Sequence, residues 1–188
     1  MTRIASSLEE GDEPLVDPHG RTVRDLRISV TDRCNLRCTY CMPEEGMEWL
    51  PREALLSFEE LERVARVCIE RFGFTGLRLT GGEPTMRSHL PVLVDKLARL
   101  GDGSHDLALT TNGTTLGLIA SDLVAAGLRR VTISIDSLRP DRFAQLTRRD
   151  RLAQVLDGID AALAAGLRPV KLNVVLVRGL NDDEILDL

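Results

Sequence analysis

Apolar residues recur along this chain with two alternating periods. Leu26, Ile28 and Val30 alternate with Arg27 and Ser29, the two-residue period of a strand. Phe58, Leu61, Ala65, Cys68 and Phe72 stand three and four apart, behind a Ser57/Glu60 capping box, which predicts a helix. The unit then repeats. A strand over Leu77–Thr80 precedes a helix carrying Leu90, Leu93, Leu97 and Leu100. Another over Leu107–Thr110 precedes a helix carrying Leu116, Ile119 and Leu123, with Gly127 as its C′ residue. A strand over Val131–Asp136 leads to a short segment after Pro140 and a helix near Leu152–Ala165 that Gly166 ends. A last strand over Val170–Val177 is followed by Asn181–Glu184, which reads as the start of a further helix.

Strands alternating with helices predict an α/β fold with a parallel sheet and right-handed connections. The phases of the strands refine this. Leu26/Ile28, Leu77/Leu79, Leu107/Leu109, Val131/Ile133 and Val170/Leu172 share one apolar phase. Arg27, Ser29, Arg78, Thr80, Thr110, Thr132, Ser134, Asp136, Lys171 and Asn173 occupy the other. Parallel strands buried on both faces read as continuous apolar runs, and a closed eight-stranded barrel fills its interior with branched apolar residues. A sheet covered by helices on one face and polar on the other predicts a partial, open TIM-type barrel whose concave face takes a hydrophilic ligand. Residues 1–20, rich in acidic residues, read as a flexible lead-in, and 21–188 as the partial barrel.

Composition narrows the class without naming it. Hydrophobic residues are 43% and charged residues 28% of the 188 residues, an ordinary globular balance. The net charge of −5 argues against a nucleic-acid or anionic-membrane partner. No stretch approaches the roughly 20 apolar residues that span a bilayer, and the acidic start lacks the apolar run of a secretory signal. A cytoplasmic protein is expected.

The chemistry concentrates in Cys34-Asn-Leu-Arg-Cys38-Thr-Tyr-Cys41, spaced C-x3-C-x2-C directly after the first strand. Thiolates are the usual ligands of iron–sulfur clusters, normally four to a [4Fe–4S]. Three in one loop leave one iron open for chemistry. Zinc sites prefer paired C-x2-C motifs with a fourth Cys or His, and His19, His89 and His105 lie far away in the chain. Cys68 falls in the apolar phase of its helix and reads as a core residue.

The cysteine spacing with Tyr40 before the last cysteine, followed by Gly81-Gly82-Glu83-Pro84, resembles the radical S-adenosylmethionine (SAM) superfamily. That resemblance implies a [4Fe–4S] cluster on Cys34, Cys38 and Cys41 whose open iron chelates SAM and, once reduced, yields a 5′-deoxyadenosyl radical. Arg24–Cys34, Cys41-Met-Pro43, Leu79–Pro84, Thr110-Thr-Asn-Gly113, Ala126–Arg130, Ser134-Ile-Asp136 and Val170–Val175 are similar to the GTP 3′,8-cyclase family of molybdenum cofactor biosynthesis. Carried over residue by residue, that similarity implies SAM contacts at Tyr40, Gly82 and Ser134, and GTP contacts at Arg27, Arg78, Thr110 and Lys171.

All the strand members of that set lie in the polar phase. A triphosphate calls for several cationic donors, and arginine presents a planar fork to phosphate oxygens. Arg129, Arg130, Arg148, Arg149 and Arg168 are expected to be solvated instead. The family similarity further implies hydrogen abstraction from ribose C3′ of GTP, an electron-donor protein as partner, and admits a homodimer. Its members continue past this point into a second three-cysteine [4Fe–4S] site, whose ligands are not among these residues; the chain is expected to be an N-terminal portion. The competing readings are another radical SAM enzyme, such as a peptide or cofactor maturase, and a non-catalytic metal-binding domain.

Overall fold

A computed structural model describes residues 14–188. The expected lead-in over 1–20 lies mostly outside the described residues; within 14–20, Val16 forms an antiparallel bridge with Thr22.

The elements in chain order are β1 (Asp25–Ser29), α1 (Phe58–Arg66), β2 (Gly76–Thr80), α2 (Leu90–Ala98), β3 (Asp106–Thr111), α3 (Leu116–Ala125), β4 (Arg130–Ser134), α4 (Pro140–Thr147), α5 (Leu152–Ala164) and β5 (Val170–Asn173). The five strands form one sheet in the order β1-β2-β3-β4-β5, every pair parallel. Right-handed crossovers between strands that never reverse their order put every helix on the same side of the sheet. Among the described residues the other side is left uncovered, and the sheet is an open, partial barrel.

Burial follows the two phases. Leu77, Leu79, Leu107, Leu109, Val131 and Ile133 are each at most 1% exposed beneath the helices. Leu90, Leu93 and Leu97 of α2 and Leu116 and Leu123 of α3 close over them. Each such leucine contributes roughly 1.5–3 kcal/mol by leaving water. On the opposite phase Arg78, Thr80, Thr110, Thr132 and Ser134 are half-buried, while Arg27, Ser29, Lys171 and Asn173 are exposed. On β5 the apolar phase is not covered in the same way, and Leu172 is 41% exposed. The strand is the sheet edge, with helix packing on one side only.

Three elements depart from their sequence patterns. The helix after Ser57 carries its capping box, with Glu60 N donating to Ser57 Oγ and Ser57 N to Glu60 Oε2. It then widens into a π-turn over Val67–Arg71 before Gly73, at φ 65°, ends it. The last strand stops at Asn173 rather than Val177. Its further amides are taken by side chains: Val175 N donates to Asp136 Oδ1 at 2.8 Å, and Val177 N to Asn181 Oδ1 at 2.7 Å. Asn181–Glu184 contributes one 3-10 turn over Asp182–Glu184 in place of the start of an α-helix. Glu184 turns inward there, accepting from Ser137 Oγ and Leu138 N.

Candidate functional site

The polar sheet face is organised in rungs. Asp25, Gly76 and Asp106 are register partners at the N-terminal edge. Two residues further along, Arg27, Arg78, Ala108 and Arg130 share the next rung, with Ala108 buried between two arginines. The rung after that carries Thr110, Thr132 and Lys171, and Ser134 with Asn173 stand beyond it. Arg27 and Arg78 are therefore direct neighbours. Lys171 stands three strands from Arg78, roughly 14 Å at the spacing of adjacent strands, and one rung nearer the C-terminal edge.

Arg130 adds a fourth cation to Arg27, Arg78 and Lys171 on this face, although the sequence pattern assigns it to solvent. Arg130 is half-buried and grips the Asp106 carboxylate from Nε at 2.7 Å to both oxygens. This hydrogen bonding holds the Asp106 carboxyl below its ordinary value and raises the Arg130 guanidinium. Arg130 is thus an ion-paired wall of the polar face. Arg129, Arg149 and Arg168 are exposed, as expected.

The C-terminal edge carries the cysteine loop. Cys34, Cys38 and Cys41 are free thiols on the loop that leaves β1. The loop is bound to the end of α4: Arg37 N and Thr39 N donate to the carbonyls of Thr147 and Leu146, each at 2.9 Å. Terminal helix carbonyls lack partners within their own helix, and the loop amides supply them. Arg148, the second corrected arginine, adopts φ 53° and donates to the carbonyls of Met42 at 3.0 Å and Arg37 at 3.3 Å. Arg37 in turn donates to the carbonyl of Cys34 at 2.7 Å.

Among the described residues no three His, Cys, Asp or Glu side chains converge on the point that one metal ion would occupy. A [4Fe–4S] cluster makes no such demand, because each thiolate binds a different iron. Three unpaired thiols on one loop fit that donor set. Burial pushes the Cys34 thiol up and the Cys38 thiol up to about 11, with Asp136 adding to the latter. Binding of iron must therefore displace protons. Cys68 stands apart in the π-turn after α1, half-buried, its thiol raised by burial alone.

Tyr40 reaches across the loop to donate to Asp136 Oδ2 at 2.5 Å. Burial, then this bond, raises its phenol well above the usual value. Gly82 lies at the end of β2 against the cysteine loop. A Cβ there would stand 2.3 Å from the Asp32 carbonyl oxygen and 2.4 Å from that of Arg33. The glycine is required by packing before any ligand is considered.

Beneath it sits a residue that the sequence pattern did not single out. Glu83 is fully buried. Its carboxylate accepts from Thr111 Oγ1 at 2.6 Å, Asn112 N at 2.7 Å and Thr85 N at 3.0 Å. It pins the loop after β2 to the loop after β3. Asn112 then reaches Asn35 Oδ1 at 2.8 Å and lies 3.9 Å from Cys34 Sγ. Glu83, Asn112 and Asp136 all fall inside the motifs Gly81–Pro84, Thr110–Gly113 and Ser134–Asp136, which were the available signal.

A cavity of about 710 Å³ opens elsewhere, lined by Thr31, Arg33, Phe58 and His89 among others, and none of the polar-face residues borders it. The candidate site is the open sheet face, with the loop bearing the three thiols at its C-terminal edge.

Residues 28–188 match the radical SAM superfamily. The chain belongs to that superfamily. Among similar proteins, the GTP 3′,8-cyclase of Streptomyces coelicolor is 51% identical over 183 residues, 97% of this chain and 53% of that protein. The GTP 3′,8-cyclase of Mycolicibacterium smegmatis is 54% identical over 173 residues, 91% of this chain and 48% of that protein. The chain spans about half the length of the curated relatives it matches. Among solved structures, Streptococcus suis SuiB bound to S-adenosylmethionine superposes with a TM-score of 0.65 at 18% identity, covering 87% of this chain and 35% of that one. Native anSMEcpe with bound AdoMet gives 0.61 at 21% identity, covering 80% and 42%. These two likenesses establish the radical SAM fold. No helix among the described residues is long and apolar enough to cross a membrane.

Proposed function

We propose that this chain carries the SAM-binding and triphosphate-binding part of a GTP 3′,8-cyclase acting in molybdenum cofactor biosynthesis. The observation that carries the reading is the Arg27–Arg78 register pair on the open polar face, on strands whose C-terminal edge bears Cys34, Cys38 and Cys41. About half identity to cyclases over nearly the whole chain supports it.

In this reading Cys34, Cys38 and Cys41 hold a [4Fe–4S] cluster, and Tyr40, Gly82 and Ser134 line the SAM site. When bound and reduced, the cluster and SAM would supply the radical chemistry that joins ribose C3′ of GTP to guanine C8. The chain's own residues supply position. Arg27 and Arg78 grip phosphate oxygens as paired forks, Lys171 adds a point charge from the far strand, and Thr110 adds a hydroxyl donor. Ala108 leaves room between Arg78 and Arg130 for the phosphates to approach the sheet. Asp106 holds Arg130 back in its own ion pair, so the paired forks are Arg27 and Arg78. Fixing the triphosphate deep on the face, with the ribose toward the thiol edge, is how the scaffold selects one hydrogen.

A second [4Fe–4S] cluster at the guanine end, an electron-donor protein, a homodimeric assembly and a cytoplasmic location complete the proposal. The test is anaerobic reconstitution of the chain. About four irons per chain are expected, the content of one cluster, with a SAM-dependent change in the electron paramagnetic resonance (EPR) signal and release of 5′-deoxyadenosine with dithionite. Iron content unchanged by replacing all three loop cysteines with alanine would overturn the reading.

A further inference from the structure

We propose that Asn112 sets the reduction potential of the cluster through an N–H···S hydrogen bond to Cys34. The proposal rests on the assignment of Cys34, Cys38 and Cys41 as cluster ligands, and adds a positioning residue to it.

The orientation of the Asn112 amide is decided by its partners. Thr114 N donates to Asn112 Oδ1 at 3.0 Å, and Thr114 Oγ1 donates to the same oxygen at 2.7 Å. A backbone N–H can only donate, so that end of the amide is the carbonyl. The NH2 end therefore faces the cysteine loop. One of its hydrogens goes to Asn35 Oδ1 at 2.8 Å, and the nitrogen stands 3.9 Å from Cys34 Sγ, within reach of a sulfur acceptor. Every polar atom of the side chain is thereby used.

The arm carrying this amide is rigid. Asn112 N donates to Glu83 Oε2 at 2.7 Å, and Glu83 is fully buried among Thr85, Thr111 and Asn112. Asn35, the other partner of the amide, is the chain neighbour of Cys34 and donates onward to Thr114 Oγ1 at 2.8 Å. The result is a closed ring of Asn112, Asn35 and Thr114 braced against the first cysteine. Leu36 N also donates to Cys34 Sγ, at 3.5 Å. The Cys34 sulfur thus collects two N–H dipoles.

N–H donors to a ligand sulfur stabilise negative charge on a cluster, and reduction adds one electron to it. Asn112 therefore favours the reduced form. Without its amide the potential should fall, making the electron that SAM cleavage requires harder to deliver.

The experiment is EPR-monitored potentiometry of the anaerobically reconstituted chain without SAM, on wild type, Asn112→Ala, Asn112→Asp and Thr114→Val. Thr114→Val removes hydroxyl bonds of the same ring and leaves the amide donor. Expected are about four irons per chain in each protein. The midpoint should shift to more negative values in both Asn112 variants and stay at the wild-type value in Thr114→Val. An unshifted potential in the Asn112 variants, or an equal shift in Thr114→Val, overturns the proposal. So does failure of both Asn112 variants to hold iron while Thr114→Val holds it, since Asn112 would then be bracing the loop. Wild type that takes up no iron would instead sink the cluster assignment, a distinct outcome.

Discussion

The Tyr40 hydroxyl donates to Asp136 Oδ2 at 2.5 Å, while Asp136 Oδ1 accepts from Val175 N at 2.8 Å. One buried carboxylate thus joins the cysteine loop, the end of β4 and the segment after β5. Tyr40→Phe leaves the first of those attachments unmade. The expected cost is about 1 kcal/mol of unfolding free energy, the usual net worth of such a bond, read from urea unfolding of the cluster-free chain. Identical midpoints would contradict the role assigned to the pair.

Gly82→Ala tests the close approach of the two loops. The added methyl would stand within 2.4 Å of the Asp32 and Arg33 carbonyl oxygens, which are backbone and cannot rotate away. Overpacking of this kind costs about 1–3 kcal/mol. The loop should also move, so SAM affinity should drop along with stability. A variant as stable as wild type would mean that the approach is looser than described.

Glu83→Ala should be among the most damaging single changes. It strands the Thr111 hydroxyl and the Asn112 amide in a buried place with no acceptor. Leaving buried donors unpaired costs about 1–3 kcal/mol each, and iron retention should suffer because the loop after β2, which packs against the chain leading into the cysteine loop, is no longer pinned to the loop after β3. Reconstituted protein should bleach faster than wild type, followed by its visible absorbance. Unchanged stability with unchanged bleaching would count against Glu83 as the link between the loops.

The Asp106–Arg130 pair predicts an acid dependence. The hydrogen bond from Arg130 holds the Asp106 carboxyl below its ordinary value. A lowered carboxyl stabilises the fold above its unfolded-state pKa, and that contribution is lost as pH falls through the lowered value. The Asp106 side chain is 43% exposed, so solvent screening keeps the contribution to about 1 kcal/mol or less. Asp106→Asn should be less stable than wild type at neutral pH, with the gap closing as pH falls below the ordinary aspartate range. A gap that persists in acid would point to packing in place of charge.

The sheet was legible because its two phases differ so strongly: Leu77 and Leu79 against Arg78 and Thr80 announce both the buried face and the open one. The cysteine loop was legible from spacing alone. Arg130 and Arg148 were misread, since an arginine's partner lies across space, at Asp106 in one case and at two loop carbonyls in the other. The early end of β5 was hidden for the same reason. Val175 and Val177 have strand-like side chains, and only the fold reveals that side-chain oxygens take their amides. Glu83 and Asn112 sat in quoted motifs, but their bonds join loops that sequence distance keeps apart.

The central claim is that the open polar face binds a nucleoside triphosphate through Arg27 and Arg78, and GTP affinity of the cluster-loaded chain tests it most directly. Charged hydrogen bonds contribute roughly 1.5–3 kcal/mol each, so Arg78→Ala should weaken GTP binding about ten- to a hundredfold. Reductive cleavage of SAM without substrate should survive the change, because Arg78 lies on the mid-sheet rung away from the cysteine loop. Equal GTP affinity in wild type and variant, or tighter binding of a peptide than of GTP, would contradict the account.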